Sequence, residues 1–131
     1  MKILGIGVDI IENSRIKKSI INKKFLKRIF TENEILKSKK INNKAGFFSK
    51  RFAAKEAFSK ALGTGFRDNL QYRDISIIND NYGKPSFNFN SKIKKILFKK
   101  FKLKKFKVHL SMSDEKKYSI AYVILENNEK K

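Results

Sequence analysis

The sequence has no cysteine, no tryptophan, one proline and one histidine in 131 residues. Without cysteine there can be no disulfide framework and no thiolate metal site, and a reducing cytoplasm is the expected compartment. Long hydrophobic runs are missing too. The first apolar stretch, Ile3–Val8, is broken by Asp9 and is too short for a signal peptide or a membrane span, so no membrane insertion is expected. There is no GxGxxG, P-loop, CxxC or HExxH pattern, no internal repeat and no Pro/Gly/Ser-rich linker. What is present suits one domain over residues 1–131: 40% hydrophobic and 12% aromatic residues support a core and exceed what a disordered chain carries.

Acidic residues are scarce, 12 against 32 Lys+Arg, which leaves a net charge of +20. One reading is an anionic partner: nucleic acid, a phosphorylated ligand, an anionic membrane or an acidic protein. The other is compositional, because Lys, Ile, Asn and Phe are enriched together, as AT-rich coding sequence gives. Charge alone chooses no partner.

The chain is organised around Phe47–Gly65, FFSKRFAAKEAFSKALGTG. At 3.6 residues per turn, Phe48, Phe52, Ser59 and Leu62 share one side and Ala53, Ala54, Ala57 and Ala61 cover the back. Such a helix is apolar or small almost all round and is expected to be buried. Arg51, Lys55, Glu56 and Lys60 nevertheless sit inside it. Glu56 and Lys60, at i and i+4, form either a surface pair or part of a site. Gly63-Thr64-Gly65 supplies the C-cap.

Before this helix, Lys2–Ile11 reads as a buried strand, with Gly5 and Gly7 marking close backbone approach. Asp9 near its end is a turn or cap residue, or a ligand. Glu12–Ser38 reads as short amphipathic helices with Ile16, Ile20, Phe25, Ile29 and Phe30 inward, and with a capping box at Thr31–Glu34. Lys37–Lys44 reads as a polar loop. After the helix come a loop at Arg67–Tyr72 and a hairpin of Asp74–Ile78 with Pro85–Phe89. A basic helix capped by Ser91 and two strands, Lys107–Met112 and Tyr118–Leu125, complete the chain. The expected fold class is α+β, a mostly antiparallel sheet packed on one long central helix.

Asp9 and Glu56 are two carboxylates without Cys or His companions, a set that suits a hard cation such as Mg²⁺. Lys60, Arg51 and Lys55 are cations within reach of phosphate. His109 is either a satisfied sheet residue or a contact. Metal, phosphate-binding cations and no dedicated nucleophile point to phosphoryl-type transfer onto an outside hydroxyl. The rival class is a small nucleic-acid-binding domain using Lys92–Lys107 with Phe98, Phe101 and Phe106 interleaved. It leaves Asp9 and Glu56 unexplained, and those aromatics fall at core spacing.

Gly5-Ile6-Gly7-Val8-Asp9-Ile10, then Arg15-Ile16, then Arg51-Phe52-Ala53-Ala54-Lys55-Glu56-Ala57-Phe58-Ser59-Lys60-Ala61, resemble the holo-acyl-carrier-protein synthase family of small bacterial phosphopantetheinyl transferases. Gly83-Lys84-Pro85 and Val108-His109-Leu110-Ser111 follow in the family's order, so the resemblance covers nearly the whole chain. It implies transfer of 4′-phosphopantetheine from coenzyme A to a serine of apo acyl carrier protein for fatty acid synthesis, with adenosine 3′,5′-bisphosphate leaving. It implies Asp9 and Glu56 as Mg²⁺ ligands, Lys60 beside the developing phosphate charge, and Arg51, Lys55, Lys84 and His109 as coenzyme A contacts. It also implies Arg15, Lys24, Phe25 and Arg28 as the carrier-docking surface, a cytoplasmic homotrimer with shared sites, and no nucleic acid partner. A transferase for other carrier domains, and the choice of base between Lys60 and a metal-bound water, stay open.

Overall fold

A computed structural model describes residues 2–67 and 69–129; Lys130 and Lys131, expected to fray, lie outside them. Strand β1 (Lys2–Glu12) leads into three short helices, α1 (Asn13–Ser19), α2 (Lys23–Ile29) and α3 (Glu32–Ser38), and then the long helix α4 (Lys44–Leu62). A 3-10 turn at Tyr72–Asp74 opens the hairpin β2 (Ile75–Asn79) and β3 (Pro85–Phe89). Helix α5 (Ser91–Phe101) and strands β4 (Phe106–Asp114) and β5 (Tyr118–Asn127) follow. The fold is α+β as expected, with every strand pairing antiparallel. The expected sheet is divided in two: β5 lies between β1 and β4, and β2 pairs only with β3.

Helix boundaries follow from caps. The Asn43 side chain accepts the Gly46 N–H, so α4 starts at Lys44 and takes in three residues beyond the expected start. Asn90 accepts the Ile93 N–H, so Asn90 and not Ser91 caps α5. Gly63 closes α4 at φ 85°, the left-handed conformation that a side chain disfavours. The Thr31–Glu34 capping box forms as expected. The end of the expected loop before the hairpin is instead ordered, with the Asp74 carboxylate accepting the Gln71 N–H.

Helix α4 is the core's axis. Phe48, Ala53, Ala54, Ala57, Phe58 and Leu62 are buried together with Ile16, Ile29 and Phe30 from the early helices. Ile75 and Ile77 from β2, and Ala121, Val123 and Leu125 from β5, complete the cluster. Contact with β1 is closest of all. A Cβ on Gly5 would lie 1.8 Å from the Ala61 carbonyl oxygen, and one on Gly7 1.9 Å from that of Ala57. Strand and helix therefore touch main chain to main chain, which only glycine permits.

The expectation that β1 is wholly buried is corrected. Only its α4 side is covered. Ile6 and Ile10 are 57% and 62% exposed, and Val8, Ile120 and Tyr122 stand exposed on the same outer face. A short apolar run does not say whether its second face meets this chain or something else.

Candidate active site

Side chains alternate along β1, so Asp9 follows Gly5 and Gly7 on the side facing α4. The glycine contacts bring α4 close enough for Lys60 to reach it. Lys60 Nζ lies 3.2 Å from Asp9 Oδ1 and donates to the Val8 carbonyl at 3.0 Å. Lys60 is half-exposed while Asp9 is mostly covered. Of the two readings of Glu56 and Lys60, the surface pair gives way to a bond from the helix to the strand. Glu56, one turn earlier and half-buried, accepts a hydrogen bond from the Tyr72 hydroxyl at 2.5 Å.

The electrostatics follow from this placement. Burial pushes the Asp9 carboxyl above the usual range. The Lys60 hydrogen bond and charge pull it back, the charge of Glu56 pushes it up again, and Arg15 pulls it back further. Glu56 is therefore close enough for its charge to act on Asp9, and Lys60 offsets more than that repulsion but not the cost of burial. Among the described residues no group of three or more Asp, Glu or His side chains gathers. A pair of hard oxygen donors, one of them raised by burial, fits a divalent ion that completes its shell with water and substrate oxygens. Burial, and then the bond to Glu56, hold the Tyr72 phenol well above its usual range, so it is a neutral donor.

The other expected residues fall into separate places. Arg51 is buried, its guanidinium 3.6 Å above the Phe47 ring and 2.7 Å from Asn79 Oδ1, and burial lowers its pKa to about 10. Its Nε has no hydrogen-bond partner among the described residues. Arg51 walls a cavity of about 450 Å³ with Phe47, Asn79 and Gly83, next to Lys84 on the hairpin turn. Five residues separate Arg51 from Glu56, about 140° around a helix, so this cavity opens on another side of α4. His109 lies on the outer face of the large sheet, opposite Ile124 and 3.5 Å from Glu126. Within one chain it is on the far side of the sheet from Asp9.

Lys55 requires a correction. It is fully buried, with Nζ 2.7 Å from Glu34 Oε1 and 2.7 Å from the Ile29 carbonyl. Both bonds tie α4 to the early helices, and no surface remains for coenzyme A. Of the expected docking residues, Arg15, Lys24 and Arg28 are exposed. Phe25 is half-buried, edge-on to Phe30 at 6.3 Å. Of the three aromatics in the basic segment, Phe98 is exposed, whereas Phe101 and Phe106 pack on the core.

Two residues that matter here escape the sequence reading. Glu34 is marked only as a capping partner, yet it also accepts from Lys55 and from the Ile77 N–H. Tyr72 stands at the edge of an irregular stretch, and no spacing rule connects it to Glu56.

The family model of the 4′-phosphopantetheinyl transferase superfamily matches residues 5–123. A holo-[acyl-carrier-protein] synthase of Pelagibacter ubique is 66% identical over 126 residues, covering 96% of this chain and 98% of the relative. The crystal structure of the Neisseria meningitidis synthase superposes with a TM-score of 0.84 at 40% identity, covering 96% and 100% of the two chains. That of the Bacillus anthracis synthase, in complex with CoA (3′,5′-ADP), gives 0.79 at 41% identity, covering 96% and 98%.

Proposed function

Because the chain belongs to the holo-[acyl-carrier-protein] synthase family, within the 4′-phosphopantetheinyl transferase superfamily, we propose that it moves 4′-phosphopantetheine from coenzyme A to a serine hydroxyl of apo acyl carrier protein. Adenosine 3′,5′-bisphosphate leaves, and the product is the holo carrier for fatty acid synthesis in the cytoplasm. The observation that carries this reading is the meeting of Asp9, Glu56 and Lys60 where β1 and α4 touch.

Asp9 and Glu56 would hold Mg²⁺, which supplies charge stabilisation at the pyrophosphate when bound. Lys60 presents its ammonium at the edge of the site, where it can follow phosphate charge as that charge grows. Arg15 lies within electrostatic reach of Asp9, and Arg28 of Tyr72, so two of the three exposed cations that would dock the acidic carrier lie on the side of this site. Arg51, Lys84 and His109 are the proposed coenzyme A contacts.

These three contacts do not converge on Asp9 and Glu56 within one chain. That separation supports a site completed by a neighbouring subunit. The exposed Ile6, Val8, Ile10, Ile120 and Tyr122 offer an apolar face for such a neighbour. The trimer itself follows from the family resemblance.

The test is incubation of the protein with coenzyme A, Mg²⁺ and apo carrier, followed by mass spectrometry of the carrier. Addition of one phosphopantetheine is expected, and an unmodified carrier would refute the reading. Sedimentation equilibrium is expected to give three chains per particle; a monomer with full turnover would refute the shared site.

A further inference from the structure

The two carboxylates of the site are each held by one donor, and the donors differ. Asp9 is held by a charged, half-exposed lysine on a flexible stem. Glu56 is held by a phenol whose ring is packed against two others. The Tyr72 ring is stacked against two others: the ring centroid of Phe66 lies 3.7 Å away at an interplanar angle of 20°, and that of Phe52 5.7 Å away at 15°. Phe52 is one turn before Glu56 on α4, so the ring lies along the helix with its hydroxyl at the carboxylate. Phe66 reaches the stack because the chain turns back after α4, with Gly65 at φ 61° and its N–H bonded to the Ser59 carbonyl. Behind the ring, the 3-10 turn is fixed by Asp74, which is held by Lys92 at 2.9 Å and by Asn90 at 2.8 Å. Three segments therefore converge to immobilise one hydroxyl.

We propose that Tyr72 is a positioning residue for Glu56: its clamped hydroxyl fixes the carboxylate facing Asp9 and so sets the affinity of the pair for a divalent ion. The inference rests on the reading of Asp9 and Glu56 as a metal pair. Tyr72 touches neither substrate nor metal in this scheme. The hydroxyl bonds Oε1, which leaves the other oxygen and the remaining lone pairs for coordination. A neutral donor also leaves the negative charge that a cation needs, whereas a second lysine here would neutralise it. Outer-shell partners of this kind typically change metal affinity by roughly 10- to 100-fold when removed.

The experiment titrates Mn²⁺ into the full chain with coenzyme A present and counts free ion by electron paramagnetic resonance. Tyr72→Phe retains both stacks and loses only the hydroxyl. It is expected to keep its melting temperature within a few degrees, bind Mn²⁺ roughly 10-fold or more weakly, and recover kcat when metal is raised to saturation. In a Glu56→Gln background the same change is expected to have no further effect on Mn²⁺ binding. Tyr72→Phe binding Mn²⁺ as tightly as the parent would reduce Tyr72 to packing and overturn the proposal. Tighter binding would make the hydroxyl a competitor for the carboxylate and overturn it equally. If Tyr72→Phe proves unstable, the coupling is read from Phe66→Leu, which removes one of the two ring stacks; unchanged Mn²⁺ affinity there overturns the clamp. Absence of protein-dependent Mn²⁺ binding in the parent is a different result, since it would remove the metal reading itself.

Discussion

Lys55 and Lys60 stand five residues apart on the same helix, and the protein treats them in opposite ways. Lys55 is sealed in the core, both of its bonds internal, and its ammonium lies 5.1 Å from the Phe30 ring. Burial lowers its pKa, and Glu34 works against that shift. Lys60 is 54% exposed and holds one catalytic candidate at 3.2 Å. The two residues carry the same charge on the same backbone. What differs is the neighbour: α3 brings a carboxylate into the core for Lys55, while β1 brings one to the surface edge for Lys60. The inner pair holds helices together. The outer pair remains accessible to a substrate.

The largest expected effect lies at the outer region. Glu56→Gln keeps the shape and removes a charge, so transfer is expected to fall about 10³-fold or more, with the metal-free melting temperature unchanged or raised. Chelation is expected to abolish transfer in the parent, and Mg²⁺ to restore it. A destabilised but active Glu56→Gln enzyme would mean that Glu56 belongs with Lys55 as a structural group.

The next effect lies at the inner region and has the opposite signature. Lys55→Met leaves Glu34 charged and buried without its cation, which is expected to cost about 3–5 kcal/mol. Adding Glu34→Gln is expected to return part of that loss. The folded fraction of Lys55→Met should keep its KM for coenzyme A. A raised KM with unchanged stability would restore Lys55 as a ligand contact and erase the distinction between the two lysines.

A third lysine–carboxylate pair sharpens the comparison with the smallest effect. Lys92 and Asp74 are 30% and 9% exposed, between the other two pairs. Burial raises the Asp74 carboxyl, but hydrogen bonds from Lys92, the Gln71 N–H and Asn90 outweigh it and hold the carboxyl below its usual range. A depressed folded pKa gives stabilisation that is present above the unfolded value of 3.8 and lost as pH falls through the folded one. The melting-temperature gap between the parent and Asp74→Asn is therefore expected to be full near about pH 6 and to close in stronger acid. A gap independent of pH would assign the stabilisation to packing instead.

Much of this was legible in the residues. Alanines and phenylalanines distributed all round α4 announce burial, and glycines at positions 5 and 7 announce backbone contact. The Asp9 and Glu56 pair follows from their placement in apolar segments. Three further features were not legible, each for a physical reason. Asn22, Asn43 and Asn90 all cap helices, but asparagine is so common in this chain that its presence does not single out a cap. Lys55 looked like Lys60 because burial on a helix depends on which element arrives opposite it. Tyr72 meets Glu56 only through a turn, a loop return and two ring stacks, none of which leaves a periodic trace.

The glycine contact between β1 and α4 also fixes a tolerance. The spacing of the two backbones that carry Asp9 and Glu56 is gauged by main chain resting on main chain. Relieving a methyl group at Gly7 would require the strand to back away by about 1.5 Å, the difference between a 1.9 Å separation and ordinary contact. Misplacement on the order of 1 Å can cost a catalyst about 10²-fold. The smallest side chain in the strand is thus the part held to the finest dimension.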